Sequence, residues 1–397
     1  MPARPLPDAP RAKPLTGIRV IELAGIGPGP YAGQLFADMG AEVIVVDRPT
    51  PSPVERDVSL DRRGKRSVVI DLRNPKGAET LLDLAATADI LIEGYRPGVV
   101  ERLGVGPDAC WARNPALVFG RMTGWGQEGP WAKTAGHDIN YISVTGVLNA
   151  IGEEGRVPPP PLNVVGDYGG GSLFLIVGCL AALLRARSTG KGEVVDAAIC
   201  DAAFSLGGIL QTLDAMGSWT PDRQSNMLDG GAPFYRCYAT SDGKFMAVGC
   251  IESQFFAEML ARLQIDPAEF GPQNDRSRWP DQHARLEAIF GANTRDHWSA
   301  VFDGSDACIT PVLDYREAAA HPHMAARGAV TEGQGLRHTG PAPRFGPPAP
   351  FAPPPAAVRG AATAAVLAEL GRTKADIAAL AEAGAVRLAA ASPKAAE

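Results

Sequence analysis

Between residues 17 and 49 the chain shows a pattern that few folds accommodate: an apolar run, a glycine-rich turn, a helical segment and a second apolar run. The apolar runs are GIRVIELA and AEVIVVDRP, the turn is GIGPGP, and the helical segment is YAGQLFADMG. Two β-runs joined by a helix within about thirty residues are typical of one βαβ unit of a parallel sheet. The pattern therefore predicts an α/β fold.

The same alternation continues toward the middle of the chain. Further β-runs are predicted at RSVVIDL (66–72), DILIEGY (89–95), ALVFGRMTGW (116–125) and GEVVDAAI (192–199). Helices are predicted over 75–88 and, as an apolar helix, directly after GDYGGG (166–171). These runs favour a large, doubly wound, Rossmann-like domain with a parallel sheet, whose ligands bind at the carboxyl ends of its strands.

The composition and pattern of the sequence change near residue 225. Aromatic, β-rich runs surround an SDGK turn within 225–256, which predicts a second, smaller α+β domain. A proline-rich segment, PAPRFGPPAPFAPPP (341–355), then precedes two alanine-rich helices. We predict a disordered arm (1–14), a large α/β domain (15–224), a small domain (225–330) and a return segment (331–397) whose helices pack on the large domain.

Composition excludes several classes of function. The net charge of −6 and the lack of a Lys/Arg stripe argue against a nucleic-acid partner. The six cysteines are scattered without CxxC spacing, which predicts reduced thiols, a cytoplasmic location and no metal site. The longest apolar run, LFLIVGCLAALL (173–184), is shorter than a usual membrane span, so we expect a buried helix and no membrane partner.

The turn GPGPYA (27–32) resembles a dinucleotide-binding fingerprint, and Asp47 ends the following β-run. Pro28 and Pro30 oppose that interpretation, because each removes a backbone N–H that would help to hold a pyrophosphate. A tight strand-to-helix turn that needs glycine for close packing is the favoured reading, with NAD binding as the minor alternative.

Three residues are candidates for catalysis. His137 follows a glycine and precedes an apolar run, unlike the other five histidines, which lie in polar, turn-like surroundings. Asp167 precedes GGG and an apolar helix, where it is equally explained as a helix cap. Glu252 follows the apolar run KFMAVGCI, and an exposed helix-start glutamate is its default interpretation.

A family resemblance joins these residues. The matching strings are IELAGIGPGP (21–30), LIEGYRPGVVERLGVGP (91–107), RMTGWGQEGP (121–130), AGHDINYIS (135–143), PLNVVGDYGGG (161–171), NMLDGGAPFY (226–235), VGCIESQF (248–255), PQNDRSRWP (272–280) and DACITPVL (306–313). Over about residues 15–345 the chain resembles the alpha-methylacyl-CoA racemases of the family III CoA-transferase superfamily. The resemblance implies that family's fold, with a Rossmann-like large domain, a smaller domain and an interlocked homodimer.

The resemblance also implies an activity. His137 and Asp167 would be the two acid/base groups that epimerise a 2-methylacyl-CoA through an enolate, and Glu252 would orient His137. Backbone N–H groups of the glycine-rich helix start around Asp167 would stabilise the enolate oxygen. Transferases of the superfamily use an aspartate at the position of Asp167 as an acyl-accepting nucleophile, and a CoA-transferase is therefore the alternative. The histidine in GHDINY favours the racemase.

Coenzyme A, as part of the thioester substrate, replaces NAD as the expected ligand, and no separate cofactor is implied. The resemblance assigns its binding to Arg48, Ile70, Asp71, Leu72, Arg73, Gly94, Tyr95, Arg96, Arg102, Gly136, Asp138, Ile139, Asn140 and Tyr141. Among these, the arginines suit phosphate because guanidinium is always charged and binds phosphate oxygens in a fork. Asp138, a neighbour of His137, is expected to hold backbone rather than to act as a base.

Overall fold

A computed structural model describes residues 13–51, 59–347 and 350–389, so residues 1–12 of the predicted arm lie outside the described part of the chain. The described residues form two compact units. The larger unit contains the residues up to Thr145, then 162–206, then those from His323 onward. The smaller unit contains 146–161 and 207–322.

The larger unit alternates strands and helices. Its first strands are β1 (Arg19–Leu23), β2 (Glu42–Asp47), β3 (Lys65–Ile70), β4 (Ile90–Glu93), β5 (Val118–Thr123) and β6 (Val194–Ala198). Its helices are α1 (Pro28–Asp38), α2 (Pro75–Ala85), α3 (Val99–Arg102), α4 (Pro107–Trp111), α5 (Asp138–Ser143), α6 (Phe174–Thr189) and α7 (Ile199–Leu206). A 3₁₀ turn covers Leu60–Arg62, and a π-helix covers Val164–Leu173.

The six strands pair in parallel in the order β3-β2-β1-β4-β5-β6. This is the strand order of doubly wound folds, in which the direction of progression reverses between β1 and β4 and opens a crevice at the carboxyl ends of those strands. The strands are apolar because helices cover both faces of the sheet. The predicted Rossmann-like domain is thereby confirmed.

The apolar helix is longer than the sequence suggested. The π-helix runs directly into α6, so one helical stretch spans Val164–Thr189, 26 residues, and an 18-residue part of it has a mean hydropathy of 1.8. Its length and composition suffice to cross a membrane, and half of that apolar part is buried inside the protein. The expectation that it is too short was wrong, because the glycine run 169–171 continues the helix rather than starting it.

The smaller unit has an antiparallel sheet covered by helices, as predicted. Its elements are α8 (Gly208–Ala215), β7 (Tyr235–Ala239), β8 (Phe245–Gly249), α9 (Ser253–Arg262), α10 (Pro267–Phe270), a 3₁₀ turn (Arg276–Arg278), α11 (Trp279–Gly291), α12 (Arg295–Phe302), β9 (Ile309–Val312) and α13 (Tyr315–Ala320). The strands pair in the order β7-β8-β9. Aromatic residues such as Phe234, Tyr238 and Phe290 fill its core.

The limits of the units differ from the predicted boundaries at 224 and 330. Residues 146–161 and 207–224, which we assigned to the large domain, belong to the smaller unit. The Arg223 side chain explains part of this packing, because it donates hydrogen bonds to the carbonyl oxygens of Asn149, Glu153 and Arg156. The proline-rich connection is therefore tied to the smaller unit and does not simply link two parts of the larger one.

The chain then returns to the larger unit. The returning elements are α14 (Pro322–Ala326), β10 (Val330–Gly333), β11 (Leu336–Thr339), α15 (Thr363–Glu369), α16 (Lys374–Glu382) and β12 (Val386–Arg387). β12 pairs antiparallel with β3, an edge strand that the sequence did not reveal. Val366 and Ile377 of the two C-terminal helices join the core on that side of the sheet. The buried Arg63 side chain holds the return segment in place, because it donates hydrogen bonds both to the Asp38 carboxylate and to the Thr339 carbonyl.

Candidate active site

A cleft of about 450 Å³ opens at the carboxyl ends of β1, β4 and β5. Its walls are the turn after β1, the segment Gly94–Pro97 after β4, and the segment Thr123–Trp125 after β5. His137 and Asp167 both line it, although 30 positions separate them in sequence. The cleft thus lies at the reversal point of the sheet, where doubly wound folds bind their ligands.

His137 immediately precedes α5 and is exposed. Its backbone N–H donates to the Asn140 side-chain oxygen at 3.1 Å, which fixes the start of that helix. The Tyr141 hydroxyl donates to the Gly136 carbonyl, and its ring packs edge-on against Trp125 at 4.9 Å between centroids. The packing of Tyr141 against Trp125 and its hydrogen bond to Gly136 therefore hold the backbone next to His137 in place.

Asp167 lies in the first turn of the π-helix and is half-buried. Burial raises the pKa of its carboxyl group, and the negative charge of Asp138 raises it further. A hydrogen bond from the Asn163 amide, at 3.5 Å, and the nearby His137 act in the opposite direction on that pKa. The result is a carboxyl group that retains its proton to a higher pH than an ordinary aspartate.

The Asp138 side chain holds the backbone beneath Asp167, as expected. It is buried, and its Oδ2 accepts the Asp167 N–H at 2.6 Å. Gly166 permits this approach, since a Cβ there would lie 2.5 Å from the same oxygen. The prediction that Asp138 binds CoA finds no support in this arrangement, because its carboxylate is directed to the backbone and it lines neither cavity described in this section.

The predicted oxyanion donors are also not where the sequence suggested. The helix begins at Val164, so Gly169, Gly170 and Gly171 lie within it and not at its start. Gly170 and Gly171 are buried, and none of the three lines the cleft. The Asp167 N–H itself is already taken by Asp138.

A second cavity, of about 440 Å³, lies at the ends of β2, β3 and β4. Its lining includes six of the predicted CoA-contacting residues, namely Arg48, Ile70, Asp71, Leu72, Arg73 and Tyr95. Arg48 and Tyr95 line the cleft as well, together with Gly94, Arg96, Gly136 and Tyr141. Most of the predicted contacts are therefore brought to two adjoining cavities along one edge of the sheet.

Some of the residues that we predicted to contact CoA line neither of the two cavities. Arg102, at the end of α3, and Ile139 and Asn140, in α5, are exposed and line neither cavity. Arg73 lines the second cavity but pairs with Asp71 at 3.0 Å, and three-quarters of its side chain is exposed. This pairing lowers the pKa of Asp71.

Glu252 belongs to the smaller unit. It is exposed and directly precedes α9. Its helix-start position agrees with the default interpretation of the sequence, and its orientation of His137 stays a prediction.

The sequence analysis missed two acidic residues that line the cleft. Glu22 and Glu93 occupy the ends of β1 and β4 and are almost fully buried. Burial raises the pKa of Glu93 to about 7, while the Tyr95 N–H, which donates to it at 2.7 Å, opposes that shift. Burial raises the pKa of Glu22 to about 7 as well, and the hydrogen bond that it accepts from the Lys65 ammonium at 2.6 Å opposes that shift. A glutamate near the end of an otherwise apolar strand, in VIEL and LIEG, was the available signal.

Asp47 does not have the role that a dinucleotide fold would give it. Its carboxylate is fully buried and accepts from both terminal nitrogens of Arg62, at 3.1 and 2.8 Å, and from the Ser67 hydroxyl. Because these donors occupy it, it is not free for a ribose hydroxyl. Among the described residues no group of three or more His, Cys, Asp or Glu side chains is arranged to hold a metal ion.

Comparison with known proteins agrees with this geometry. The chain matches the model of CoA-transferase family III over residues 15–364. It is 43% identical to the alpha-methylacyl-CoA racemase of Mus musculus over 330 residues, 83% of this chain and 86% of the relative. It is 30% identical to the succinyl-CoA–L-malate CoA-transferase alpha subunit of Chloroflexus aurantiacus over 349 residues, 81% of this chain and 80% of the relative.

The fold is similar to that of a solved relative. The crystal structure of a CAIB/BAIF family protein from Brucella suis superposes with a TM-score of 0.76 at 27% identity, covering 91% of this chain and all of the other. The match of the family model over most of the chain, the sequence relatives and this shared architecture lead to one conclusion: the chain belongs to CoA-transferase family III.

Proposed function

We propose that this protein is an alpha-methylacyl-CoA racemase that interconverts the (R) and (S) forms of 2-methylacyl-CoA thioesters. The observation that carries the proposal is the presence of two chemically different proton carriers, His137 and Asp167, in one cleft. The racemase relative, which is more similar in sequence than the transferase relative, supports the same activity.

Inversion of a carbon next to a thioester requires the loss of a proton from one face and the return of a proton to the other. A single base would tend to restore the original configuration. An imidazole and a carboxyl group answer that need, because one accepts the proton while the other donates, and the roles exchange in the reverse direction. The raised pKa of Asp167 favours the donating form of its carboxyl group.

Coenzyme A enters this proposal as part of the substrate, and no separate cofactor is needed. The thioester carbonyl acidifies the neighbouring C–H, so that the protein supplies only proton carriers and binding groups. We assign the acyl end to the cleft that holds His137 and Asp167, and the nucleotide end to the second cavity, where Arg48 and Arg73 suit phosphate groups.

The proposal includes a cytoplasmic homodimer. Val177 and Leu184 of α6 expose about two-thirds or more of their surfaces, and Phe204 of α7 exposes about half. An apolar face of this kind marks a contact surface. We assign it to a second copy of the chain and not to lipid, because half of the apolar part of the long helix is already buried inside one copy and Arg185 and Arg187 lie in its last turns. Sedimentation analysis of Val177→Lys, which we expect to be monomeric, tests this assignment.

One experiment separates the racemase from the transferase. The protein is incubated in deuterium oxide with a single-epimer 2-methylacyl-CoA, and both epimerisation and α-deuterium uptake are followed. The racemase predicts both. Transfer of CoA to a second carboxylate without exchange, together with hydroxylamine trapping of an anhydride at Asp167, would instead establish the transferase.

A further inference from the structure

The return segment has no part in the proposed reaction, yet it contacts two of the segments that line the second cavity. Arg48 lines that cavity from the loop after β2, and residues 70–73 line it from the end of β3. Arg359 Nη1 donates a hydrogen bond to the Arg48 carbonyl at 3.1 Å, although 311 positions separate the two residues. The Asp71 N–H donates to the Ala385 carbonyl at 2.9 Å. The return segment therefore holds the backbone at two places around the cavity.

The Arg359 side chain is directed to the end of β2 by the packing of its own backbone. The N–H of the next residue, Gly360, donates to the Ser67 hydroxyl at 2.7 Å. Gly360 has a φ of +72°, and a Cβ there would lie 3.1 Å from Val69 Cγ2, so the return segment packs closely on β3. Only 16% of the Arg359 side chain is exposed, and its Nη1 also lies 3.6 Å from Asp47 Oδ1. Arg359 is therefore not a solvated surface charge.

We propose that Arg359 is a positioning residue for the nucleotide end of coenzyme A: by holding the Arg48 carbonyl, it fixes the loop that presents Arg48 to a phosphate group. β2 ends at Asp47, so the loop that begins at Arg48 lies beyond the hydrogen-bond ladder of the sheet. A loop already fixed in its binding conformation binds more tightly, because less conformational freedom is lost on binding. The inference rests on the proposed function, since it takes the second cavity as the nucleotide site.

The geometry favours an indirect role over direct contact with the ligand. Arg359 itself lines neither cavity, whereas Arg48 lines both. The hydrogen bond runs from a charged guanidinium to a backbone carbonyl, and such charge-assisted bonds are stronger than neutral ones. Loss of this donor should therefore loosen the loop without changing the groups that carry the substrate proton.

The experiment compares Arg359→Met with the wild type. Methionine keeps much of the apolar stem of arginine but has no N–H to donate. Calorimetric titration with free CoA should show a Kd about tenfold higher in the variant, the size expected for the loss of one charge-assisted hydrogen bond. Arg359→Ala is the second variant if the methionine protein does not fold.

Kinetics on two thioesters locate the effect along the ligand. One substrate is a 2-methylacyl-CoA, and the other is the same acyl group on pantetheine, which has no nucleotide. For α-deuterium exchange in Arg359→Met, KM for the CoA thioester should rise about tenfold while kcat is unchanged. KM for the pantetheine thioester should equal that of the wild type, because the loop has no phosphate to bind in that substrate.

Two substitutions separate this role from a general loosening of the return segment. Arg359→Lys restores a charged donor and should bring the Kd for CoA to within about twofold of the wild type. Arg372→Met is the matched control, because Arg372 also connects the return segment to the larger unit, through Asp83 of α2, and lines neither cavity. It should leave the Kd for CoA unchanged, whatever its effect on urea unfolding.

Four results would overturn the inference. They are an unchanged Kd in folded Arg359→Met, an equal loss of affinity in Arg372→Met, a lysine variant as weak as the methionine variant, and a parallel rise of KM for both thioesters.

The failure of the inference can be told apart from that of the proposed function. If the wild type exchanges the α-proton of neither thioester, the proposed function itself fails. If the wild type prefers the CoA thioester to the pantetheine thioester and Arg359→Met shows the same preference, only the role of Arg359 is refuted.

Discussion

Two aspartates at the same edge of the large sheet differ sharply in their surroundings. Asp47, at the end of β2, is fully buried and accepts hydrogen bonds from Arg62 and from the Ser67 hydroxyl. A terminal nitrogen of Arg359 also lies 3.6 Å from Asp47 Oδ1. Asp167 is only half-buried, receives one long hydrogen bond, and faces a second carboxylate.

Depth of burial alone does not separate the structural carboxylate of Asp47 from the carboxyl group of Asp167, which we propose as a proton carrier. Asp47 is more deeply buried, yet its donors fix the side chain in place, and through them it connects β2, β3 and the 3₁₀ turn. Asp167 is poorly supplied with donors, so the negative charge is less stable there and protonation becomes accessible. The two carboxylates therefore differ in their supply of hydrogen-bond donors as well as in their burial.

The largest expected effect comes from removing the carboxyl group of Asp167, which we propose as a proton carrier. Asp167→Asn keeps the size of the side chain but cannot exchange the proton, so α-deuterium exchange should fall by about 10² to 10⁴-fold. The thermal midpoint should change little, because few hydrogen bonds depend on this carboxylate. Asp108→Asn, an exposed aspartate at the start of α4, is the matched control and should keep full exchange. Equal activities would remove Asp167 from the mechanism.

For Asp47, in contrast, we expect a substitution to lower stability and to leave the exchange activity unchanged. Asp47→Asn leaves the Arg62 guanidinium beside a neutral amide, and breaking a buried pair in this way costs about 3–5 kcal/mol of unfolding free energy. Urea unfolding measures the loss, and exchange activity per folded molecule should be retained. Glu332→Gln, which breaks the exposed pair with Arg337, should cost less than about 1 kcal/mol. A similar small loss for Asp47→Asn would contradict the comparison.

This contrast also marks the limit of what the sequence predicted. Hydrophobic periodicity located the strands and the main helices of the sheet, because an apolar strand covered on both faces imposes its own pattern. It also brought Asp47 and Asp167 to attention as polar residues next to strand or helix ends. The period of the pattern carries no information on which donors will surround each group.

The residues that decide the roles come from distant segments. Arg62 reaches Asp47 from a 3₁₀ turn, Asp138 reaches Asp167 from 29 positions away, and Gly27 approaches it from the first turn of the domain. The length of the apolar helix was misjudged for a related reason, since glycines usually break a helix and here lie inside one. Tertiary packing, which no local pattern encodes, determined each of these features.

Glu93 provides an intermediate case that sharpens the comparison. It is nearly fully buried with one backbone donor, and its pKa is raised from 4.5 to about 7. The folded state therefore binds the proton more tightly than the unfolded state, so stability from this group is complete below pH 4.5 and is lost as the pH rises through 7. The loss amounts to about 3 kcal/mol above pH 7.

Glu93→Gln should remove that dependence. The variant should be more stable than the wild type at pH 8.5, by up to about 3 kcal/mol, and the advantage should disappear at pH 5. Urea unfolding at the two pH values measures the difference, with the exposed Glu382→Gln as control. If the difference between variant and wild type is the same at both pH values, the buried carboxyl group is not the source.

The smallest effect concerns the second carboxylate beside Asp167. Asp138→Asn preserves an oxygen that can accept the Asp167 N–H, but it removes the negative charge that helps to raise the pKa of Asp167. The pKa of Asp167 should fall, so with the epimer whose α-proton Asp167 accepts, the acid limb of the exchange profile should move to lower pH by roughly one unit. Asp138→Ala removes both the charge and the hydrogen-bond acceptor, and it should in addition lower kcat because the backbone under Asp167 loses its support. Identical profiles for Asp138→Asn and the wild type would show that the scarcity of donors around Asp167 is sufficient by itself, without a neighbouring charge.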